Sequence, residues 1–428
     1  MSANKLVVIS MDALIYEDLE YLKDKPSFSY LLNNGSRVER IRSVYPTVTY
    51  ACHTTMSTGC YPDKHGIINN TFDVTEEKPP WIHEHRFVRC RDIFDAAKTG
   101  KYTTASVGWP VTGNHESVDY LVNECWPTPD GDIEKYEETY IENGTPRALF
   151  DEVVRPYLPM RVGRKQPDSS YFLVKVTADI LKKYKPDFLM LHFGQVDSFR
   201  HKTGVFSPKV TEGLDQCEKM LTMLFDAAKE AGTFENTNWV VTADHGQLNV
   251  TKKVCLNALL RERGFIETDD EGKVLSWRAY AFASEMSAQI HVKDEKDKAE
   301  VYDILKEAMD SGLWGISKIY TKDEAAKEHL QGEFEFVVET DGATAFINRA
   351  VPPFAEPTAS VLTGLCEGNH GYHPDKGPRP PFLACGPDIQ KGIVLKEGRL
   401  IDGAPTYAKI LGVELPDADG TAFNDLLR

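Results

Sequence analysis

Residues 5–10, KLVVIS, form a short apolar run that ends two residues before Asp12. Two similar runs occur later in the chain, DFLMLHF at 187–193 and NWVVT at 238–242. Runs of this length, apolar almost throughout, are typical of strands buried on both faces of a parallel sheet. Amphipathic helical patterns separate them, the clearest at 209–231. This alternation predicts an α/β fold with a doubly wound, mostly parallel sheet.

The pattern changes over residues 279–350, where strands and helices of a different order are predicted. The spacing predicts strands at 288–292, 315–320, 334–339 and 344–348, and helices at 295–311 and 322–330. A compact α+β unit of this size is large enough to be a small domain. We therefore predict a metal-binding α/β core over residues 1–270 and 355–428, with an α+β cap inserted at 271–354.

Composition and charge exclude several classes of function. Of the 428 residues, 41% are hydrophobic and 27% are charged, unlike disordered, collagen-like or coiled-coil chains. The sequence has no run of about 18 apolar residues, so we expect neither a transmembrane helix nor a membrane partner. The net charge of −16 disfavours a nucleic-acid polymer as a partner. A small anionic substrate remains compatible, because bound cations can invert the field locally.

The start of the chain and its cysteines bear on location. The apolar run at 6–9 is too short for the hydrophobic region of a secretory signal, and it reads as a buried strand. The eight cysteines contain no CxxC pair and show no regular spacing. In a chain of this length that pattern predicts reduced thiols, and we expect a cytoplasmic protein.

Carboxylate and imidazole side chains follow each of the three predicted strands. They are Asp12 after the first strand, Asp197 and His201 after the second, and Asp244 and His245 after the third. In open α/β sheets, sites form beyond the carboxyl ends of strands. His370, in the sequence GNHGY, completes a set of three carboxylates and three imidazoles. Such a set is sufficient for two divalent cations; zinc suits mixed nitrogen and oxygen ligands best, and manganese or iron are alternatives.

Each of these residues also has a structural interpretation. A lone Asp after a strand is often a helix cap, and an adjacent Asp and His often form a hydrogen-bonded contact. Three strand ends with the same chemistry are harder to explain by packing, because a buried charge is unfavourable unless it is paired or bound to a metal.

Five motifs together resemble a known family. They are PTVTYACH at 46–53, TGCYPDKHGI at 58–67, DSFRH at 197–201, ADHG at 243–246 and NHGY at 369–372. Their order and content are similar to the alkaline phosphatase superfamily, and within it to the nucleotide pyrophosphatase/phosphodiesterase branch. The resemblance extends from Asp12 to His370 and so covers most of the chain. It implies an alkaline-phosphatase-like core with an inserted cap.

The resemblance also implies roles for particular residues. Thr49 is the expected nucleophile, and Thr47 is its competitor, with turn hydrogen bonding as the other role of Thr47. Two cation sites are implied: Asp12, Thr49, Asp244 and His245 hold one, and Asp197, His201 and His370 hold the other. His53 and His65 lie within motifs and are predicted to be structural hydrogen-bonding residues. Three histidines outside the motifs are predicted to lie at the surface: His83, His85 and His115.

Substrate contacts follow less directly from the motifs. Asn70 lies just after the HGI element, where the family has an Asn that can donate to a phosphoryl oxygen. Cys52 replaces an Asn of many relatives, and Arg200 replaces a Gly. A guanidinium at Arg200 could contact a phosphate or a carboxylate, or form a surface salt bridge. The candidates to stack on a base or to line an apolar pocket are Tyr50, Trp109 and Trp126, with core packing as the alternative for both tryptophans.

The sequence therefore predicts a two-metal phosphodiesterase or nucleotide pyrophosphatase that acts through a covalent phospho-threonine. Its expected substrate is a small phosphate-containing molecule, with a nucleotide as one candidate. A phosphomonoesterase or a phosphonate hydrolase, similar to phosphonoacetate hydrolase, is the alternative on the same scaffold. A metal-binding module without catalysis is the alternative from another class, and the intact nucleophile and ligand set argue against it.

Overall fold

An eight-stranded sheet is the largest element of the computed structural model, which describes residues 4–72, 75, 79–127, 132–161, 163–358 and 367–428. From one edge to the other, its strands are Val394–Arg399, Ser36–Arg42, Phe382–Cys385, Thr237–Thr242, Lys5–Met11, Phe188–Phe193, Thr104–Val107 and Tyr120–Val122. Phe382–Cys385 runs antiparallel to both of its neighbours, and the other pairings in this sheet are parallel.

Alternating side chains of the strands fill an apolar layer on each side of this sheet. Leu6 and Val8 pack in one cluster, and Val7 and Ile9 pack in the other. Helices cover both faces: Pro26–Asn34, Asp168–Lys183, Gln195–Thr203 and Pro208–Glu230 on one, and Thr49–Thr58, Ile93–Thr99 and Gly403–Leu411 on the other. Further helices are Leu19–Leu22, Pro62–His65, Ile133–Glu142 and Arg147–Leu149. The predicted doubly wound, mostly parallel α/β fold is confirmed.

The three strands predicted from sequence are neighbours at the centre of the sheet. Ser10 pairs with His192 on one side and with Thr242 on the other. The parallel register therefore brings the three carboxyl ends to one edge at the same level. Asp12 and Asp244 follow directly at this edge, as the sequence predicts.

A separate antiparallel sheet lies in the inserted region. In spatial order its strands are Ala279–Ser284, Ser287–Val292, Phe336–Thr340 and Ile316–Thr321, and the helices Lys298–Asp310 and Lys322–Lys327 belong to the same region. The predicted strand at 344–348 is shorter, Thr344–Phe346, and pairs with Lys252–Val254 rather than with this sheet. The remaining strands are short: Leu248–Val250, Ile266–Thr268, Val274–Trp277, Ala355–Pro357 and Glu367–Asn369.

The helix Leu256–Glu262 joins the apolar cluster of the inserted sheet. Leu256, Leu260 and Phe265 pack there with Ile290 and Val338. Side chains before residue 270 thus contribute to the core of the inserted unit. The proposed division into a core and a cap at 271–354 stays a prediction.

Cysteines in the described ranges carry free thiols, as predicted. They are Cys52, Cys60, Cys90, Cys125, Cys217, Cys255 and Cys385. Cys366 lies outside the described residues. Within the part of the chain that the structure describes, we find no helix with both the length and the apolar character needed to cross a bilayer.

Candidate active site

Thr49 is the first residue of the helix Thr49–Thr58, and it faces a cavity at the carboxyl edge of the central sheet. Its side chain is largely buried, and its Oγ1 lies 3.3 Å from Nε2 of His245. The first turn of a helix presents backbone N–H groups and the positive end of the helix dipole. This position therefore suits a side chain that must work next to an anionic phosphoryl group.

Three residues beside Thr49 form one cluster that can hold a cation; we call Asp12, Asp244 and His245 the Asp12 group. Nε2 of His245 lies 3.1 Å from Oδ2 of Asp244 and 3.6 Å from Oδ1 of Asp12. Both of these carboxylate oxygens are buried and have no hydrogen-bond partner among the described residues. Buried carboxylate oxygens of this kind need a partner. A divalent cation fits that requirement and the mixed donor set.

Asp197, His201 and His370 form a second cluster, the Asp197 group. Oδ1 of Asp197 lies 3.3 Å from Nε2 of His201 and 3.7 Å from Nε2 of His370. Nδ1 of His370 donates a hydrogen bond to the Thr47 carbonyl oxygen at 2.9 Å. A carbonyl oxygen only accepts, so the lone pair of the neutral ring is on Nε2, towards Asp197. Metal-binding histidines are oriented in this way.

Burial and the charges of neighbouring side chains set the pKa values of both groups. Burial raises the pKa of Asp12 well above its ordinary value, and the Asp244 and Asp197 carboxylates raise it further. Burial likewise raises the pKa of Asp244 to about 6 and lowers that of His370 to about 3. Burial lowers the pKa of His201 too, but the Asp197 carboxylate outweighs it, and the result is about 9. Crowded carboxylates with raised pKa values favour a bound cation.

Asn70 is placed next to the nucleophile by its amide oxygen. That oxygen accepts the backbone N–H of Tyr50 at 2.8 Å, one residue after Thr49. The amide NH2 of Asn70 is then the end that can donate to a substrate. Thr47, the competing threonine, is engaged instead in backbone hydrogen bonds: its hydroxyl donates to the Tyr372 carbonyl oxygen at 2.9 Å and accepts the Gly371 N–H at 3.0 Å.

The cavity has a volume of about 430 Å³ and three kinds of lining. Acidic, basic and aromatic side chains all line it. Near Thr49 the lining includes Asp12, Glu124, His192 and Asp197. The basic lining residues include Arg164, Lys165 and Lys202, and the aromatic ones include Trp81 and Trp126. The guanidinium carbon of Arg164 lies 4.3 Å from the ring centre of Trp126.

Arg200 was predicted to contact substrate or to form a surface salt bridge, and both predictions are wrong. Its side chain is completely buried and forms a bidentate ion pair with Asp18, at 2.6 and 2.8 Å. Its Nε also donates to the Val205 carbonyl oxygen at 3.1 Å. Arg200 is on the face of its helix that turns into the protein, so its guanidinium does not reach the cavity.

Three other predicted substrate contacts lie behind the cavity wall. Cys52 and Trp109 belong to the apolar cluster beneath the sheet, and Trp109 packs edge-on against His53 at 4.8 Å. Tyr50 is buried, with its hydroxyl 3.1 Å from Nδ1 of His83. Trp126, for which core packing was the alternative, lines the cavity.

His53 and His65 are structural hydrogen-bonding residues, as predicted. Nδ1 of His53 donates to the Thr49 carbonyl oxygen at 2.8 Å, and Nδ1 of His65 accepts the Ile67 N–H at 3.1 Å. His192 and Glu124 also line the cavity, and neither was predicted as a site residue from the sequence. For His192 a signal was present, since an imidazole near the carboxyl end of an otherwise apolar strand is unusual.

A third cluster of the same residue types lies away from the cavity; we call His85, Asp92, Asp95 and His115 the Asp92 group. His115 was predicted to be a surface residue, but its side chain is almost fully buried. Its Nε2 lies 3.0 Å from Oδ2 of Asp92, and its Nδ1 accepts the Ser117 N–H at 3.1 Å. The ring proton is therefore on Nε2 and points at Asp92, which makes this a structural pair.

The fold and the two clusters beside Thr49 place the chain in the alkaline phosphatase superfamily. The chain belongs to the type I phosphodiesterase/nucleotide pyrophosphatase family, whose model matches residues 6–373. Venom phosphodiesterase 2 of Crotalus adamanteus is 26% identical over 259 residues, which are 58% of this chain and 27% of that protein. This chain thus spans about a quarter of the length of that relative.

Longer matches agree with this family. The bis(5'-adenosyl)-triphosphatase ENPP4 of Bos taurus is 23% identical over 98% of this chain and 81% of its own length. The structure of murine ENPP5 superposes with a TM-score of 0.69 at 21% identity, covering 99% of this chain and 100% of that one. An inactive threonine-to-alanine variant of murine ENPP5 in complex with AMP gives a TM-score of 0.70 at 20% identity, with the same coverage.

Proposed function

We propose that this chain hydrolyses phosphodiester or phosphoanhydride bonds of a small substrate, with Thr49 as the nucleophile and two divalent cations as cofactors. The observation that carries the proposal is that Thr49, Asp12 of the Asp12 group and Asp197 of the Asp197 group line one cavity. The two groups also touch, because the ring centres of His245 and His370 are 4.0 Å apart. A threonine hydroxyl is a weak nucleophile without a base or a cation beside it. Zinc suits the mixed carboxylate and imidazole ligands best, and manganese and iron are the alternatives.

The reaction would proceed in two displacements at phosphorus. In the first, the Thr49 hydroxyl loses its proton, its oxygen forms a bond to phosphorus, and the bond to the leaving oxygen breaks; the products are a phospho-threonine and a leaving group that takes up a proton from solvent. In the second, water attacks phosphorus, the bond to Thr49 breaks and the hydroxyl is restored. When bound, the two cations supply Lewis acidity that favours the ionised hydroxyl and neutralises charge on the leaving oxygen.

Two protein groups would stabilise the phosphoryl oxygens during these steps. The amide NH2 of Asn70 is held beside Thr49 by the bond from its oxygen to the Tyr50 N–H. The N-terminus of the helix Thr49–Thr58 adds backbone N–H groups at the same place. Removal of one such donor lowers kcat by about 10²–10³-fold in comparable sites.

The cavity supports a small phosphate-containing substrate, and we propose a nucleotide. Arg164, Lys165 and Lys202 provide positive charge at a cavity of a chain whose net charge is −16. Trp81 and Trp126 provide aromatic surface in the same wall, of the kind on which a base can pack. One relative is named a bis(5'-adenosyl)-triphosphatase, and one similar structure, a murine ENPP5 variant, contains AMP. Both agree with a nucleotide as the substrate class.

The alternative functions and the cellular location rest on other observations. The phosphomonoesterase alternative stays open, because basic side chains other than the buried Arg200 line the cavity. A phosphonate substrate and a binding module without catalysis remain as outcomes of the experiment below. The cytoplasmic location stays a prediction.

The test is turnover of the zinc-loaded protein on bis-p-nitrophenyl phosphate and on p-nitrophenyl phosphate. Thr49→Ala removes the nucleophile, and we expect its kcat to fall at least about 10³-fold. Thr49→Ser is the matched control, because it keeps the hydroxyl and is expected to retain activity within roughly ten-fold. Acid-quenched enzyme should carry one p-nitrophenyl phosphoryl group on Thr49 when the substrate is the diester, and one phosphoryl group when it is the monoester, detected by mass spectrometry.

Each outcome has a definite meaning. A diester preference that is lost in Thr49→Ala and retained in Thr49→Ser supports the proposal. A preference for the monoester would replace it with a phosphatase. Two bound cations without turnover on either compound would contradict the phosphodiesterase and leave a phosphonate substrate or a binding role.

A further inference from the structure

Cys60 and Cys90 are two thiols in contact with each other, and neither has a part in the reaction described above. Cys60 follows the helix Thr49–Thr58 by two residues, and Cys90 lies 30 positions later in the chain. Both thiols are free, and they hydrogen-bond to each other. Cys60 is buried, whereas Cys90 is half-buried. Two thiols in such contact can form a disulfide where the backbone holds them together.

A third segment of the chain holds the two cysteines in place. Sγ of Cys60 donates a hydrogen bond to the carbonyl oxygen of Asp417 at 3.1 Å. The backbone N–H of Arg91, the residue after Cys90, donates to Oδ2 of Asp417 at 3.3 Å. Asp417 therefore binds both segments, and the proximity of the thiols does not depend on the thiols alone.

Lys64 places a positive charge beside this pair. Its ammonium donates to Oδ1 of Asp419 at 2.9 Å and also to the carbonyl oxygen of Asp417. The hydrogen bond from Cys90 lowers the pKa of the Cys60 thiol; burial opposes this, and the Lys64 charge lowers the pKa further. The same hydrogen bond raises the pKa of Cys90. The pair thus loses one proton readily, and the thiolate is the reactive form of cysteine.

We propose that Cys60 and Cys90 are a redox-active pair that a small disulfide of the glutathione class oxidises to an intramolecular disulfide. The Cys60 thiolate takes the proton of Cys90 while the half-buried Cys90 sulfur attacks one sulfur of the oxidant. A mixed disulfide forms and one glutathione thiolate leaves. Cys60 then releases its proton to solvent and attacks the Cys90 sulfur, the mixed disulfide breaks, and the second glutathione thiolate leaves. Two protein thiols are oxidised, and one glutathione disulfide is reduced to two molecules of glutathione.

The disulfide would cross-link the two ends of a segment that contains Asn70. Closing a loop of about 30 residues restricts the unfolded chain, so we expect oxidation to raise Tm by about 3–5 °C. The surrounding contacts would change little. When Cys60 loses its hydrogen, the carbonyl oxygen of Asp417 keeps the donor from Lys64.

The experiment equilibrates the full chain in glutathione buffers that range from fully reduced to fully oxidised. Free thiols are blocked with N-ethylmaleimide, and the peptides are mapped by mass spectrometry. In wild type we expect one pair of linked peptides, which contain Cys60 and Cys90. Thermal unfolding of the reduced and oxidised protein measures the change in Tm.

Three variants serve as controls for the mapping. Cys60→Ser keeps a donor to Asp417 but lacks the second thiol, so glutathione should remain on Cys90. Cys90→Ser should leave Cys60 unmodified, because that side chain is buried. Cys217→Ala removes a buried thiol from the apolar layer on the other face of the sheet, and it should form the same disulfide as wild type.

The outcomes separate a redox-active pair from two thiols that only fill space. The absence of linked peptides in the most oxidising buffer would overturn the proposal, and so would glutathione that stays on Cys90 of wild type. A disulfide that forms without raising Tm would overturn the stabilising role. The measurements need neither cations nor substrate, so they decide the role of Cys60 and Cys90 whether or not the proposed function holds.

Discussion

Two regions of this protein contain the same residue types at similar distances, yet their hydrogen bonds differ. In the Asp197 group, Nδ1 of His370 donates to a carbonyl oxygen, so Nε2 presents a lone pair. In the Asp92 group, Nδ1 of His115 accepts a backbone N–H, so Nε2 presents a proton. The group that contacts the far side of the ring therefore determines whether an imidazole can bind a cation.

The carboxylates of the two regions differ in a parallel way. Oδ1 of Asp92 accepts the N–H groups of Phe94 and Asp95, at 2.9 and 3.1 Å, and caps the helix Ile93–Thr99. Oδ1 of Asp12 and Oδ2 of Asp244 are buried without such partners among the described residues. A satisfied carboxylate stabilises local structure, whereas an unsatisfied one requires a ligand.

The largest expected effect comes from changing one histidine in each region. His370→Ala should lose tight binding of one zinc ion and about 10³-fold in kcat, because cation stabilisation is worth several kcal/mol. His115→Ala should keep both zinc ions and kcat within about three-fold, since its ring has no lone pair to offer. Metal analysis and turnover of both variants test this. A zinc ion lost from His115→Ala would erase the distinction between the regions.

The next largest effect is on stability, and here His115 is the residue that matters. His115→Ala should lower the free energy of unfolding by about 3 kcal/mol, because it leaves the buried Asp92 carboxylate without its imidazole partner. His329→Ala is a matched control, since that imidazole is exposed and lies 3.4 Å from Asp63; its change should stay below about 1 kcal/mol. Urea unfolding of the zinc-free proteins measures both, and equal changes would contradict the structural role of His115.

Zinc itself should stabilise the fold by binding to the Asp12 group and the Asp197 group, and not to the Asp92 group. At a free concentration one hundred times Kd, each site adds about 2.7 kcal/mol to the free energy of unfolding. His115→Ala should show the same zinc-dependent gain as wild type, and His370→Ala a smaller one. Unfolding with chelator and with zinc provides the comparison. An unchanged gain in His370→Ala would exclude His370 as a ligand.

The smallest effect is the pH dependence of the Asp92 group. Burial lowers the pKa of His115, but the Asp92 carboxylate outweighs burial, and the net pKa is raised. Nδ1 of the neutral ring accepts the Ser117 N–H, so the charged ring forms only when a second proton replaces that bond and adds a positive charge beside Asp92. The charged form stabilises the fold fully below its unfolded pKa of about 6.5, and this contribution is lost as the pH rises through the raised folded pKa. The stability difference between wild type and His115→Gln should be larger at pH 6 than at pH 9. Urea titrations at both values check this, and a difference that grows with pH would contradict it.

Much of the site could be predicted because strand ends are visible in the sequence. Asp12 and Asp244 lie within two residues of the ends of their strands, and Asp197 lies in the first turn of the helix that follows its strand. Parallel pairing brings such positions to one edge. Arg200 could not be placed in this way. It lies three residues after Asp197 on the same helix, and only the packing of that helix against Asp18 shows which face is inside.

Other wrong predictions concern how deeply a side chain is buried and which distant residues it contacts. Trp109 and Cys52 lie in or near family motifs, but the motif does not say that their side chains belong to the apolar layer behind the nucleophile. The burial of His115 depends on Asp92, which is 23 residues earlier in the chain. Contacts of this kind leave no periodic signal in the sequence.

The sequence by itself determined the α/β class, the strand ends and the types of side chain that meet there, because these depend on local apolar runs and on their spacing. The tertiary structure decided which of the clusters can bind a cation. That property depends on whether each ring nitrogen faces a carbonyl oxygen or an N–H group, and for His370 the carbonyl oxygen belongs to Thr47, 323 residues earlier in the chain. Hydrogen bonds between distant segments exist only once the chain is folded.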